Sequence, residues 1–387
     1  MKVLVLAGLT PSTFFCHVAL ATALRDAGHQ VMVTASDDEV MPTIAGAGLS
    51  ALPVVDPGLT RQQIVADAGL AGVPDDPVER ERRAGRWLAR IDTVALDTLL
   101  AFAKDWRPDV VIGGMQAYGA PVLAARLGVP WVRQAWDIHD PSLMDAGAAD
   151  ELSDQLAELG LDGLPEPDMM ISITPPSLRL PDAPPAQMMR WIPGNSQCRL
   201  ERWMYARGAD TRIGVTIGTG VADYDQYDFL QGIVENISTL DTEVAVAVTE
   251  DAVPEMRERL EKDVRVGWIP LDVLAPTCDV LVHQSGGNTM MTALSFGVPQ
   301  VLIPDPGQLR QMVMADRVAA AGAGIVISPE EATSEVIAKK CQEIVSNPEY
   351  AAAAAGLAQE IAALPLPSEV ARRIERLVHE ASRGRRD

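Results

Sequence analysis

Little in this 387-residue sequence is basic, aromatic or cysteine. Lys and Arg number 32 against 53 Asp and Glu, a formal net charge of −21. Phosphate-backbone binding needs clustered Lys and Arg, so nucleic acid is excluded as a partner. The same surplus argues against docking on an anionic membrane. The four cysteines, Cys16, Cys198, Cys278 and Cys341, stand far apart with no CxxC or Cys/His ligand spacing. That excludes a disulfide framework and a zinc site, and suits reduced thiols in a cytoplasmic protein. No apolar run approaches the roughly 18 residues of a membrane span. The apolar start, Met1 to Leu9, lacks the charged region and cleavage site of a signal peptide and reads as a buried first strand. A P-loop, a GxGxxG after a first strand and a GxSxG are all missing, so NTPase, nicotinamide and serine-hydrolase chemistry have little support. Asp37-Asp38 and Asp75-Asp76 have no companion ligands and read as solvated loop charges; no metal is expected.

What is present is apolar and patterned. Hydrophobic residues make up 48%, enough for globular cores, and the length suits two or three domains. Val3-Leu4-Val5-Leu6-Ala7 runs into Gly8-Leu9-Thr10-Pro11-Ser12; a helical pattern spans Val18 to Ala27, Gly28 stops it, and Val31 to Ala35 reads as a strand. Strand, small-residue loop, helix, glycine, strand is a βαβ unit. Unbroken apolar strands are those of a parallel sheet covered on both faces. The order restarts at Arg212: Ile213 to Ile217 ends in Gly218-Thr219-Gly220, a helix spans Phe229 to Ser238, and Glu243 to Val248 follows. A second echo is more specific. Asp109-Val110-Val111-Ile112-Gly113-Gly114 leads through a helix to Gly128-Val129-Pro130, and Asp279-Val280-Leu281-Val282-His283 leads through another to Gly297-Val298-Pro299. In each copy the glycine suits a left-handed cap, and the proline sets the start of the next strand.

The pattern predicts an α/β protein of two facing Rossmann-like domains, residues 1–195 and 211–367. A linker covers 196–210, and a last helix within 368–387 crosses back to the first domain. Open parallel sheets take ligands at their strands' carboxyl ends. Two facing sheets therefore make a cleft with one floor for a donor and one for an acceptor.

The strongest local signal is Val282-His283-Gln284-Ser285-Gly286-Gly287-Asn288-Thr289: strand, small-residue turn, and a helix beginning near Asn288. Backbone N–H groups at a helix start suit a diphosphate, the paired glycines allow close approach, and His283 can donate to a phosphate oxygen. An ordinary turn capped by Asn or Thr fits the same residues. Trp268, in Gly267-Trp268-Ile269-Pro270-Leu271, offers a face for a nucleobase, or is a core residue. Asp137 follows the strand from Trp131 to Trp136 and stands at the cleft edge, where a carboxylate can take a proton from an acceptor hydroxyl. A helix cap or surface carboxylate fits it as well, with His139 and Asp140 as neighbouring alternatives. Between Arg133 and Arg179 there is no Lys or Arg, and ten Asp or Glu occur from Asp137 to Asp168. A solvated acidic loop and helix is the expected reading; any of these beside Asp137 would repel its charge.

These segments, with Ala23-Leu24-Arg25-Asp26-Ala27-Gly28-His29 and Gly297-Val298-Pro299-Gln300, resemble the inverting, metal-independent glycosyltransferases of the GT-B fold. The chain looks most like the actinobacterial enzymes that move deoxysugars from dTDP onto aromatic polyketides in antibiotic biosynthesis. Gly85-Arg86-Trp87, Trp106-Arg107-Pro108-Asp109, Arg133-Gln134-Ala135-Trp136-Asp137, Pro175-Pro176-Ser177-Leu178-Arg179 and Trp203-Met204-Tyr205 narrow the likeness. They resemble the aryl C-glycosyltransferases of angucycline biosynthesis, of the urdamycin olivosyltransferase type.

The resemblance covers essentially the whole chain. It implies that His283, Gly286, Gly287, Asn288, Thr289 and Thr219 hold the donor diphosphate. Trp268 and Ile269 would hold thymine, and Arg310 and Gln311 the sugar. Thr10 and Trp87 fall on the acceptor side, and Asp137 is the base. Two departures stand out. Thr10-Pro11-Ser12-Thr13 lacks the histidine many relatives carry there, and His17 falls inside the first helix, so the base role passes to Asp137. Arg310-Gln311 replaces an Asp-Gln pair that grips sugar hydroxyls, which suits a sugar that has lost them. The implied reaction moves a deoxysugar, D-olivose foremost, from a dTDP-sugar to an aromatic polyketide through a β-C-glycosidic bond, with no cofactor. A homodimer is left open. The alternatives are O-glycosylation of a polyketide hydroxyl, or a non-catalytic nucleotide- or aglycone-binding partner of another enzyme.

Overall fold

The computed structural model describes residues 1–35, 40–55, 63, 64, 66, 68–70, 72, 74–138, 142–181, 183–216, 218, 227–261, 264–305 and 307–384. Thirteen strands lie in two sheets among the described residues. The first holds β1 (Lys2–Leu6), β2 (Gln30–Ala35), β3 (Ser50–Pro53), β4 (Val110–Gly114), β5 (Trp131–Gln134), β6 (Met169–Ser172) and β7 (Gln187–Met188), in the order β3-β2-β1-β4-β5-β6-β7. The second holds β8 (Arg212–Val215), β9 (Glu243–Ala247), β10 (Arg265–Gly267), β11 (Val280–His283), β12 (Gln300–Leu302) and β13 (Gly324–Val326), in the order β10-β9-β8-β11-β12-β13. Every pairing is parallel. Both sheets reverse strand order beside their first strand, and that reversal opens a crevice at the carboxyl ends.

The repeat seen in the sequence has one physical role in both halves. Asp109 Oδ2 accepts the Lys2 N–H at 2.7 Å, and Asp279 Oδ2 accepts the Arg212 N–H at 2.8 Å. Each aspartate fastens the start of its sheet's first strand to the start of the fourth. Gly128 (φ +61°) and Gly297 (φ +68°) are both left-handed at the ends of their helices.

The helices that matter for the site are α1 (Pro11–Asp26), α2 (Pro77–Asp105), α3 (Gly119–Leu127), α4 (Ser142–Glu151), α5 (Gly287–Ser295), α6 (Leu309–Ala320) and α7 (Pro367–Arg383). Helix α1 begins at Pro11, well before the expected Val18. Thr10 caps it by accepting the Thr13 N–H, Thr13 answers in return, and proline fits the first turn because its missing N–H has no helical partner there. Helix α2 starts behind Asp76, whose carboxylate accepts the Glu79 N–H at 2.8 Å, so this acidic residue is a helix cap.

One apolar cluster joins the halves. It runs from Val3 and Leu20 through Met290 and Met314 to Ile374 on α7. The last helix therefore crosses back to the first sheet as expected, and His29 meets Glu375 at 2.7 Å where α7 lies on α1. The chain crosses between halves twice, once after β7 and once before α7. The crossings touch: Arg190 N–H donates to the Pro365 carbonyl at 2.7 Å.

Candidate functional site

The site begins where β11 ends. Ser285 N–H donates to His283 Nδ1 at 3.1 Å, so that nitrogen is bare and Nε2 carries the proton, which it gives to Gln300 Oε1 at 2.7 Å. Burial pushes the imidazole down to about 4, so it is neutral at pH 7. His283 is only 1% exposed and both ring nitrogens are engaged inside the protein. The expectation that it donates to a phosphate is corrected: in this geometry it pins the turn. Ser285 follows at φ +58°, in the region that favours glycine, with its buried Oγ lacking a hydrogen-bond partner.

The helix starts at Gly287, within one residue of the expected Asn288. Gly286 is the cap residue, and it has no side chain with which to bond the first turn of α5. Asn288 and Thr289 lie in that turn. Asn288 reaches across the cleft instead: its Nδ2 donates to Ser12 O at 2.6 Å, and its Oδ1 accepts from Cys16 Sγ at 2.9 Å. Thr219, His139 and Asp140 lie outside the described residues.

Asp137 sits past β5, 3% exposed, facing the second half. Arg310 on α6 donates to its Oδ2 at 2.8 Å. A Cβ built on Gly287 would stand 3.2 Å from the same Oδ2, so the carboxylate lies against the first residue of α5. Arg317, two turns along α6, donates to Ile138 O at 2.8 Å and holds the loop that carries Asp137. Several described acids of the run are held by arginines instead. Arg86 pairs with Asp150, Arg90 with Glu151 and Arg133 with Asp145, so much of the run is neutralised by arginines of α2 and β5. The charge that meets Asp137 at 2.8 Å is the Arg310 guanidinium. Gln311 braces its own loop, accepting from Asp305 N–H at 3.0 Å and donating to Gln308. Neither Arg310 nor Gln311 is thus displayed as a simple grip for sugar hydroxyls.

Trp268 is half-buried after β10, and its indole N–H donates to Ser196 O at 3.2 Å. That bond fixes the ring beside the chain crossing; Ile269 beneath it is buried. In the first half, Thr10 is occupied in capping α1, and Trp87, on α2, packs half-buried against the core. His17 lies inside α1 as expected. It is buried with Nδ1 3.2 Å from Gln134 Oε1, and burial pushes it down to about 4.

One carboxylate went unnoticed in the sequence. Asp92 on α2 lines a pocket of about 370 Å³, open mouth included, with Leu6, Gly8, Thr34 and Val54 at the carboxyl ends of β1, β2 and β3. Its Oδ2 accepts the Gly119 N–H at 2.8 Å, and burial pushes it up to about 7 against that pull. The available signal was an acid at core spacing between Leu88, Ala95 and Leu99. Among the described residues, no group of three His, Cys, Asp or Glu is arranged to hold a metal ion, and no helix is long and apolar enough to cross a membrane.

Carboxylate, guanidinium and helix start therefore meet at one point between two sheets. Such a point can remove a proton and stabilise a leaving anion within one substrate's length. Residues 22–218 match the N-terminal domain, and 231–377 the C-terminal domain, of the erythromycin biosynthesis protein CIII-like family. The L-demethylnoviosyl transferase of Streptomyces niveus is 34% identical over 92% of this chain and 93% of its own length. The Streptomyces sp. SF2575 glycosyltransferase complexed with thymidine diphosphate superposes at a TM-score of 0.83, with 32% identity over 97% of this chain and 99% of that one. The spinosyn rhamnosyltransferase complexed with spinosyn aglycone superposes at 0.86, with 26% identity over 97% of this chain and all (100%) of that one. The two sheets are those of the GT-B fold, and the chain belongs to the erythromycin biosynthesis protein CIII-like family of glycosyltransferases.

Proposed function

We propose that the protein transfers a deoxysugar, D-olivose foremost, from a dTDP-sugar to an aromatic polyketide, forming a β-C-glycosidic bond with inversion. One observation carries this reading. The Asp137 carboxylate of the acceptor half lies against Gly287 at the start of α5 in the donor half, where a diphosphate is best received. Base and leaving group must flank one anomeric carbon, and this contact provides that closeness.

In the proposed reaction Asp137 takes the phenolic proton, and the phenolate makes its ortho carbon nucleophilic. That carbon bonds to C1 of the sugar as the C1–oxygen bond to diphosphate breaks. The ring then loses its ortho proton to solvent and regains aromaticity. No metal enters this scheme: the helix start and a guanidinium meet the leaving charge. Trp268, held edge-on by Ser196, offers its face to thymine. A second reading, O-glycosylation, uses the same base and cleft, with the phenolate oxygen attacking instead. The donor names and aglycones of the relatives vary, and the replacement of a hydroxyl-gripping Asp by Arg310 favours a deoxygenated sugar.

The test is incubation of purified protein with a panel of dTDP-sugars and polyketide aglycones, read by mass spectrometry before and after mild acid. A product that survives acid supports the C-glycoside; an acid-labile product replaces it with the O-glycoside. Donor consumed without acceptor points to another enzyme class. Asp137→Asn keeps an oxygen for Arg310, folds normally, and lowers turnover by roughly 10²–10⁴-fold. Near-normal turnover would remove Asp137 from the base role.

A further inference from the structure

We infer that Arg310 is a ligand for the donor diphosphate and that Asp137 competes with the diphosphate for it. This rests on the donor and base assignments proposed above. Three observations converge. Arg310 Nη1 lies 2.8 Å from Asp137 Oδ2, across the interface of the two halves. The same oxygen is against Gly287, the first residue of α5, behind a glycine cap that has no side chain to offer. In the turn itself His283 is neutral and engaged, while Ser285 Oγ is buried without a partner. The turn brings no cation of its own, and the guanidinium that reaches it does so by holding Asp137.

A carboxylate against a helix start and a guanidinium occupies the position that a phosphate group takes on such elements. Two anions therefore compete for one cation and one helix start. The nearby Cys16 thiol is held neutral, chiefly by burial and further by Asp137, so it takes no part in that competition. Arg317 stays on Ile138 O and keeps the loop in place while Arg310 exchanges partners. A planar guanidinium suits this exchange, since it matches carboxylate and phosphate alike. With Arg310 on the diphosphate, the Asp137 oxygen that held it is released toward the acceptor. Donor binding thus precedes proton removal.

The experiment is calorimetric titration of thymidine diphosphate into the wild type, Asp137→Asn, Arg310→Gln, Arg310→Lys and the Asp137→Asn/Arg310→Gln double variant, with melting curves to establish folding. Arg310→Gln weakens binding by roughly 10–100-fold, and Arg310→Lys by less. Asp137→Asn tightens binding by roughly 3–10-fold, because the competing carboxylate is gone. The double variant binds as weakly as Arg310→Gln, since the gain depends on the guanidinium being present. Unchanged affinity in Asp137→Asn, or a gain that persists in full without Arg310, overturns the exchange while leaving the glycosyltransfer reading standing. A wild type that does not bind thymidine diphosphate overturns both.

Discussion

His17 and His283 stand at the carboxyl-end side of opposite sheets, each tied to a glutamine, and each is held neutral by burial with a value near 4. The unfolded chain binds protons at these rings from about pH 6.5 downward, whereas the folded chain resists until about 4. Stability therefore falls as pH drops through that window. Asp92 opposes them: held up near 7, it binds its proton in the folded state first, and its contribution declines as pH rises from about 4 to 7. His283→Gln removes one of the two histidine contributions, at most about 3 kcal/mol. Melting temperatures at pH 7, 5.5 and 4.5 check this: the decline becomes shallower in the variant. A decline as steep as the wild type's places the acid sensitivity elsewhere. The sequence located His283 because a histidine ends a strand before a glycine pair. Its orientation was not legible, because its partner Gln300 comes from the neighbouring strand β12 and depends on strand pairing.

Helices α2 and α4 cross at a pair of glycines. A Cβ on Gly85 would overlap the Met144 carbonyl, and one on Gly147 would overlap the Arg82 carbonyl. Backbone cannot yield as a flexible side chain does, so Gly147→Ala forces the helices apart. It costs about 1–3 kcal/mol or more, read as a lower denaturant midpoint, and loosens the Arg86–Asp150 and Arg90–Glu151 pairs beside the crossing. An unchanged midpoint would show that the crossing yields without strain. The acidic stretch was legible as charge but not as half of an ion-paired helix contact, since its arginines lie some sixty residues earlier. The βαβ repeats were legible because apolar strands, left-handed glycines and strand-starting aspartates recur in both halves. Helix α1 was misjudged at its start: its first turn, Pro11-Ser12-Thr13-Phe14, buries only Phe14, too little apolar spacing to reveal a helical period.

Across the whole molecule, each half keeps a core of its own, and the two sheets share a further apolar cluster that α7 completes. Ile374 is fully buried in it, at 0% exposure. Ile374→Ala costs about 2–5 kcal/mol. It lowers the stability of both halves together, so tryptophan fluorescence and far-ultraviolet circular dichroism shift by the same amount. Separate transitions for the two signals would show that the halves are independent. That α7 returns to the first half was legible from its position after Pro365-Leu366-Pro367. The closure of the cleft by Asn288, Arg310 and Arg317 was not, because those contacts exist only once both domains are folded and facing.

The touching of Arg190 and Pro365 also limits how the molecule moves. Two chain passages fastened side by side resist sliding and twisting and leave rotation about their common line as the softest displacement. Opening and closing then trace a single arc. Every contact on the cleft face is made or broken in a fixed order along it, the ones farthest from that line travelling the greatest distance.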